Sequence, residues 1–179
     1  TVLLARTAAS ILAVEGYAAG HTYGPPERTP MDPGTPQYEW LERTLAGSAD
    51  KTWRFVFFHH PALSTGIEGN FRPATRVFGP LFEKYGVDAA FSGHDHDFEF
   101  SVRDGMVHVV TGGGGGPVSP LRPNSKENPH ARYFKGVWHH CRVRVDGAKL
   151  KVRAVDLRGG TFFRFMVDKS GGSRVVRWE

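Results

Sequence analysis

The sequence predicts a chain that passes from α/β to α+β, with an α/β front followed by an antiparallel β back. Three observations carry this. Trp53 to Phe58, a continuous apolar run apart from Arg54, reads as a strand covered on both faces, and Val87 to Ser92 as another short buried strand, with helical spacing before and between them. From Phe98 onward, apolar and polar residues alternate instead. These alternating stretches are joined in pairs by Asp104-Gly105 and Asp146-Gly147, the turn chemistry of antiparallel hairpins.

The elements follow in order. Ser10 to Tyr17 reads as a short buried strand, and the Pro- and Gly-rich segment Gly24 to Pro36 as a loop. Thr35 can cap a helix that has Pro36 at its first position. Tyr38, Leu41 and Leu45 then recur at helical spacing, and Gly47 ends the run. The strand Trp53–Phe58 stops at His59-His60-Pro61. A second helical stretch follows Pro73, with Phe78, Leu81, Phe82 and Tyr85 on one stripe. Pro80 should kink or split it, and Gly86 closes it. Further strands are expected at Phe98–Val102, Val107–Thr111, Val137–Val145, Leu150–Leu157, Phe162–Val167 and Arg174–Trp178. A long loop, Gly112 to Lys135, opens with five glycines.

Composition bounds the function. The 179 residues suit one domain spanning 1–179, and 13 Phe, 5 Tyr and 4 Trp supply bulk for a core. A single Cys excludes an internal disulfide and any multi-Cys zinc site; Cys141 reads as a small buried hydrophobe. No stretch approaches ~20 uninterrupted apolar residues, so no membrane span is expected. Thr1 to Val14 reads as an interior or processed start, which leaves the compartment open, an exported location included. The formal charge is +5 and the pI about 9.6. Lys and Arg are scattered, and their densest run, Arg142 to Arg153, alternates with Val and Leu as the solvent face of strands would. The expectation is a basic surface with no nucleic-acid partner.

Nine histidines are the anomaly. In Gly93-His94-Asp95-His96 two imidazoles stand two residues apart, just past a strand, and extended backbone points both to one side. Imidazole is the commonest metal ligand among side chains. His59-His60-Pro61 also follows a buried strand at once. In α/β sheets ligands bind beyond the carboxyl ends of strands, so two such strands bring the two clusters side by side. Three imidazoles can hold one zinc-like ion and leave its fourth position to water.

In this order, Gln37-x-x-Trp40-Leu41, Phe57-Phe58-His59-His60-Pro61, Ser92-Gly93-His94-Asp95-His96 and the glycine run Thr111 to Gly116 resemble the calcineurin-like metallophosphoesterases. They are most similar to the purple-acid-phosphatase-like branch, and the resemblance runs from Ser10 to Val167. It implies part of an αββα sandwich and a dinuclear centre of Fe, Zn or Mn. The implied activity is hydrolysis of phosphomonoesters or phosphodiesters by a hydroxide carried on the metal. By position, the resemblance makes His59 a ligand, because the family's spacing is His-x-Pro. His60, the intervening residue, would lie near the substrate as the catalytic group. His94 would join His59 on one ion, and His96 would bind the other.

The family's earlier motifs, Asp-x-His, Gly-Asp-x-x-Asp and Gly-Asn-His-Asp or Gly-Asn-His-Glu, do not occur in the sequence. They supply the bridging aspartate, most ligands of one ion and the usual proton donor. The expectation is therefore the C-terminal half of the sandwich, with self-association through the sheet face this leaves bare. The alternative is a catalytically incomplete remnant or fragment that binds metal or a partner without turnover.

The remaining candidates are weaker. Gly112 to Gly116 lacks the Lys-Ser/Thr of a nucleotide-binding loop and reads as a tight connection near the metals. His139-His140 lies in a strand, one side chain in and one out, and His108 on a strand's polar face. His21 and His130 fall in loops. Asp95 and Asp97 read as groups that orient ligands or loops.

Overall fold

The computed structural model describes residues 31–118 and 126–179, and upstream of these the backbone of two strands, 2–5 and 9–13. Within these residues the chain runs β1 (Val2–Ala5), β2 (Ala9–Ala13), α1 (Pro36–Ala46), β3 (Trp53–Phe58), a π-helical turn (Ala74–Phe78) and α2 (Gly79–Lys84). It continues with β4 (Ala89–Ser92), β5 (Phe98–Arg103), β6 (Met106–Thr111), β7 (Ala131–Lys135), β8 (His139–Asp146), β9 (Lys149–Asp156), β10 (Thr161–Asp168) and β11 (Val175–Trp178).

The strands form two sheets. The front sheet has the order β2-β3-β4-β6-β5-β7, and the back sheet the order β1-β8-β9-β10-β11. In the front sheet β2, β3, β4 and β6 are parallel, while β5 and β7 run antiparallel to their neighbours. The back sheet is antiparallel apart from β1, which lies parallel to β8. The mixed α/β and antiparallel reading holds, with one difference. The hairpin at Asp104-Gly105 joins the front sheet through β6 and does not belong to the back.

Local chemistry explains the elements. Thr35 caps α1 and its hydroxyl accepts from the Tyr38 amide at 3.4 Å, with Pro36 in the first turn; the Gly47 amide closes the end onto Arg43 O at 2.9 Å. Pro80, with no amide hydrogen to donate, falls in the first turn of α2, and the backbone ahead of it widens into the π-helical turn. The expected split is therefore found. Asp104 and Gly105 both adopt positive φ, 50° and 74°, as a two-residue hairpin turn requires.

Two expectations need amendment. The expected loop Gly112–Lys135 contains β7, which pairs with β5 through Phe100↔Tyr133 and Glu99↔Phe134. β7 is an edge strand, half-buried along its length, so its sequence lacks the clean alternation that marks a strand. The expected strand Ser10–Tyr17 is seen as Ala9–Ala13; residues 14–17 lie outside the described residues.

The core lies between the sheets. Trp53, Phe55, Phe91, Phe100 and Val109 of the front sheet meet Cys141, Val143, Leu150, Val152, Phe163 and Phe165 of the back sheet. A second cluster sits on the other side of the front sheet, where Leu41, Leu45, Phe78, Leu81 and Phe82 from the helical segments cover Val56 and Ala90. The layers are helix, sheet, sheet: a partial metallophosphoesterase-type sandwich. No helix of the described residues is long and apolar enough to cross a membrane.

Candidate metal centre

β3 and β4 are adjacent and parallel, with Phe58 opposite Ser92, so their carboxyl ends finish side by side. Gly93 then donates its amide to His59 O at 3.0 Å, which ties the two following loops together. His94 turns back with φ of 65°, a left-handed conformation that costs a non-glycine residue free energy. That turn aims its ring at His59: His94 Nδ1 lies 3.2 Å from His59 Nε2. The His60 ring is 4.2 Å from that of His94, centre to centre, and 4.8 Å from that of His59.

Among the described residues, His59, His60 and His94 each offer one ring nitrogen within 4.8 Å of the others. The fit to a transition ion can be tested on this donor set. Two nitrogens about 2.05 Å from a tetrahedral ion stand about 3.3 Å apart, and the His59–His94 pair is at 3.2 Å. Burial, and then the charges of His94 and His59, lower the pKa of His60 to about 4, so this imidazole is neutral and its lone pair free of a proton at neutral pH. The residues fit an ion such as Zn or Fe, which favours imidazole nitrogen. Phe71 packs 4.9 Å from His60, and Glu68 Oε2 lies 3.8 Å from His94 Nε2.

His96, expected as a ligand, stands apart from this trio. Its Nδ1 bonds Pro117 O at 2.9 Å. Its ring packs against Gly116 so closely that a Cβ there would overlap it. The glycine run is thus a packing device. A side chain at Gly112 would strike Asp95 O, and one at Gly113 would strike His139 and Val137 O.

Acidic residues that the sequence reading treated lightly build the floor. Asp95 and Asp97, in the bend after β4, and Glu99, in β5, are fully buried, and Asp97 lies close enough to feel the charges of the other two. Asp95 accepts from Ser64 Oγ at 2.5 Å and from the Glu68 amide at 3.0 Å. Glu99 accepts from the Thr65 amide and hydroxyl, both at 2.6 Å, from Asn128 Nδ2 at 2.6 Å and from Ser101 Oγ at 3.1 Å. Together they hold the 64–68 loop over the histidines. Neither Asp97 oxygen has a partner; burial, then Asp95, then Glu99 raise its pKa to about 7. Glu99 and Asn128 escaped the sequence reading. The spacing Asp95-x-Asp97-x-Glu99, running from the bend after β4 into a β5 that opens Phe-Glu-Phe, was the available signal.

The other histidines sit elsewhere. His139 is buried, its Nδ1–H donating to Val137 O at 2.8 Å and its Nε2 receiving the Thr111 hydroxyl at 3.0 Å, while His140 faces outward. Cys141 is buried in the core, and burial pushes its thiol pKa up to about 11. His130 lies beside β5, its charge felt by His108. His21 lies outside the described residues.

Comparison with known proteins bears on the family and the fold. The profile of the calcineurin-like phosphoesterases matches residues 10–98, from β2 through the start of β5. Tartrate-resistant acid phosphatase type 5 of Homo sapiens is 25% identical over 134 residues, covering 72% of this chain and 41% of the relative. The Fe(3+)-Zn(2+) purple acid phosphatase 12 of Arabidopsis thaliana is 34% identical over 84 residues, covering 44% of this chain and 18% of the relative. The purple acid phosphatase PPD1 from yellow lupin (Lupinus luteus) seeds superposes with a TM-score of 0.65 at 23% identity, covering 78% of this chain and 29% of that structure, a likeness of fold. The chain thus spans about two fifths of the human relative's length and less of the plant proteins'. The profile match, the two histidine motifs at neighbouring strand ends and the sandwich fold together make the chain a member of the calcineurin-like phosphoesterase family.

Proposed function

We propose that the chain takes part in metal-dependent hydrolysis of phosphate esters, monoesters or diesters. One observation carries this reading: the convergence of His59, His60 and His94 at the carboxyl ends of β3 and β4. His59 and His94 would hold one ion and His96 the other, with Fe, Zn or Mn as the candidates. When bound, the metal supplies Lewis acidity and an acidified water. His60, neutral and wedged between Phe71 and His94, offers a ring N–H to a phosphate oxygen beside the ion. Asp95 and Glu99 act through the 64–68 loop, which they hold against the histidines.

The test combines metal content with turnover of p-nitrophenyl phosphate. Loading with Zn²⁺ or Fe should be stoichiometric and lost in His94→Ala and His59→Ala. His60→Ala should keep the metal yet lower turnover about 10²-fold, the cost of removing one donor to the developing charge. Loss of metal in His60→Ala equal to that in His94→Ala would instead make His60 a ligand. No metal bound by the unaltered chain overturns the reading.

A second reading is favoured by the make-up of the cluster: among the described residues only imidazoles converge, and Glu68, 3.8 Å from His94, lies outside the group of three. In it the chain binds one ion without turnover. It predicts stoichiometric metal and no hydrolysis above background.

A further inference from the structure

The outward face of the back sheet gathers seven cationic side chains, all exposed: Arg142 and Arg144 on β8, Lys149, Lys151 and Arg153 on β9, Arg164 on β10 and Arg177 on β11. In sequence they spread over 36 positions, which is why they read as scattered. Strand register assembles them. Arg142, Arg153 and Arg164 stand directly opposite one another across three strands. Arg144, Lys151, Met166 and Arg177 form the next row across four. Arg144, Lys149 and Arg164 pair with Asp146, Asp168 and Glu179 at 3.7 Å each. Among the described residues Arg142, Lys151, Arg153 and Arg177 form no ion pair within 4 Å, and like charges directly opposite each other destabilise a sheet. The fold carries that repulsion on one face, around a groove of about 1180 Å³.

We propose that this face binds the phosphate backbone of double-stranded nucleic acid, without reading its sequence. Five of the seven cations are Arg, whose planar fork matches phosphate oxygens in pairs. A concave groove receives a convex duplex better than a planar bilayer. The apolar residues on this face, Met166 beside Lys151 and Arg177 and Val175 beside Asp168, give little to insert into lipid. Trp178 packs onto Phe100 at 5.6 Å and stays 44% exposed at the rim of the groove, a single exposed ring among the described residues of this face, where unpaired bases would need a succession of rings to stack on. A second copy of the chain meeting this face with its own would bring cation against cation. Backbone contacts alone give affinity that is independent of sequence and steep in salt. The face is distinct from the histidine cluster, so the proposal does not depend on catalysis.

Fluorescence anisotropy of a labelled 20-base-pair DNA duplex tests it, at rising salt, with the unaltered chain and two quadruple variants. One variant carries Arg142→Gln, Lys151→Gln, Arg153→Gln and Arg177→Gln. The other carries Arg43→Gln, Arg72→Gln, Arg76→Gln and Arg132→Gln, with the same change in net charge on other surfaces. The unaltered chain should bind with a log–log salt slope of about −4, one counterion for each unpaired cation. The face variant should lose at least about tenfold in affinity, with a slope near zero, while the control variant keeps both. Amide chemical-shift changes in the unaltered chain on adding the duplex should fall on β8 to β11, which keeps the test open if the face variant folds poorly. Absence of binding, equal loss in both variants, or shifts confined to other strands overturns the proposal. So does binding to vesicles containing phosphatidylserine but not to the duplex.

Discussion

At the residue scale the glycine run separates packing from flexibility. Gly112 and Gly114 are two positions apart and look alike in sequence, yet a Cβ at Gly112 would overlap the Asp95 carbonyl while one at Gly114 meets nothing. Gly112→Ala should therefore cost about 1–3 kcal/mol, as overpacking does, and Gly114→Ala close to nothing, read from urea midpoints of the two variants. His108 gives the pH dependence. Burial, and then the charges of Arg103 and His130, lower its pKa to about 3, whereas the unfolded chain takes up the proton near 6.5. Between these values the unfolded state binds more protons, so stability falls as pH drops from 6.5 toward 3. Melting temperatures of His108→Gln and the unaltered chain should run parallel above pH 6.5. Below it the variant should gain steadily, and a constant difference down to pH 4 would contradict this. At this scale the sequence anticipates that His59, His60 and His94 come together, because they follow neighbouring strands of largely apolar character. It could not say that His94 adopts positive φ, or that His96 turns to Pro117 O, since both depend on how closely the glycine loop approaches.

At the element scale the site is held by a hydrogen-bond net that spans three segments. Glu99, at the second position of β5, takes bonds from Thr65 in the loop after β3 and from Asn128 ahead of β7. All are donors, and an ionised carboxylate can only accept, so the match is complete. Glu99→Gln replaces one accepting oxygen by an NH₂ group that faces donors. The expected cost is about 1–3 kcal/mol for the unsatisfied buried group, measured by thermal or urea unfolding. Because the same net positions Glu68 beside His94, the variant should also bind metal more weakly. Unchanged metal affinity together with lost stability would show that the loop holds its place without Glu99. Elements with strong local chemistry were legible in advance: the Thr35–Pro36 helix start, the split at Pro80 and the Asp104-Gly105 turn. β7 was not, because an edge strand buries too little on either face to impose a pattern on its sequence.

At the scale of the whole molecule, local signals name strands but do not assign them to sheets. The hairpin Phe98–Thr111 carries the alternation of the back half, yet β6 inserts beside β4 in the front sheet. The choice is made by long-range packing, with Phe100 reaching Phe163 and Phe165 across the sandwich. The layers are also joined by charge. Asp88 is fully buried just ahead of β4, and Arg174 and Lys169, both beyond β10, reach it at 2.9 and 3.0 Å, while it also accepts the Arg54 amide at 2.9 Å. One carboxylate thus anchors the C-terminal β10–β11 connection onto the front sheet. Asp88→Asn removes the charge and strands two cations beside a neutral amide, so it should cost about 3–5 kcal/mol, the penalty for breaking a buried pair from one side. Lys169→Met should cost much less, because Arg174 still neutralises the carboxylate and the methionine retains the packing of the Lys169 stem over Trp53. The ordering of the two, Asp88→Asn well below Lys169→Met in melting temperature, is the quantity to measure. If both variants lose equally, the clamp rests on Lys169 alone and Arg174 is a bystander. If neither loses, apolar packing between the sheets already suffices to hold the C-terminal strands.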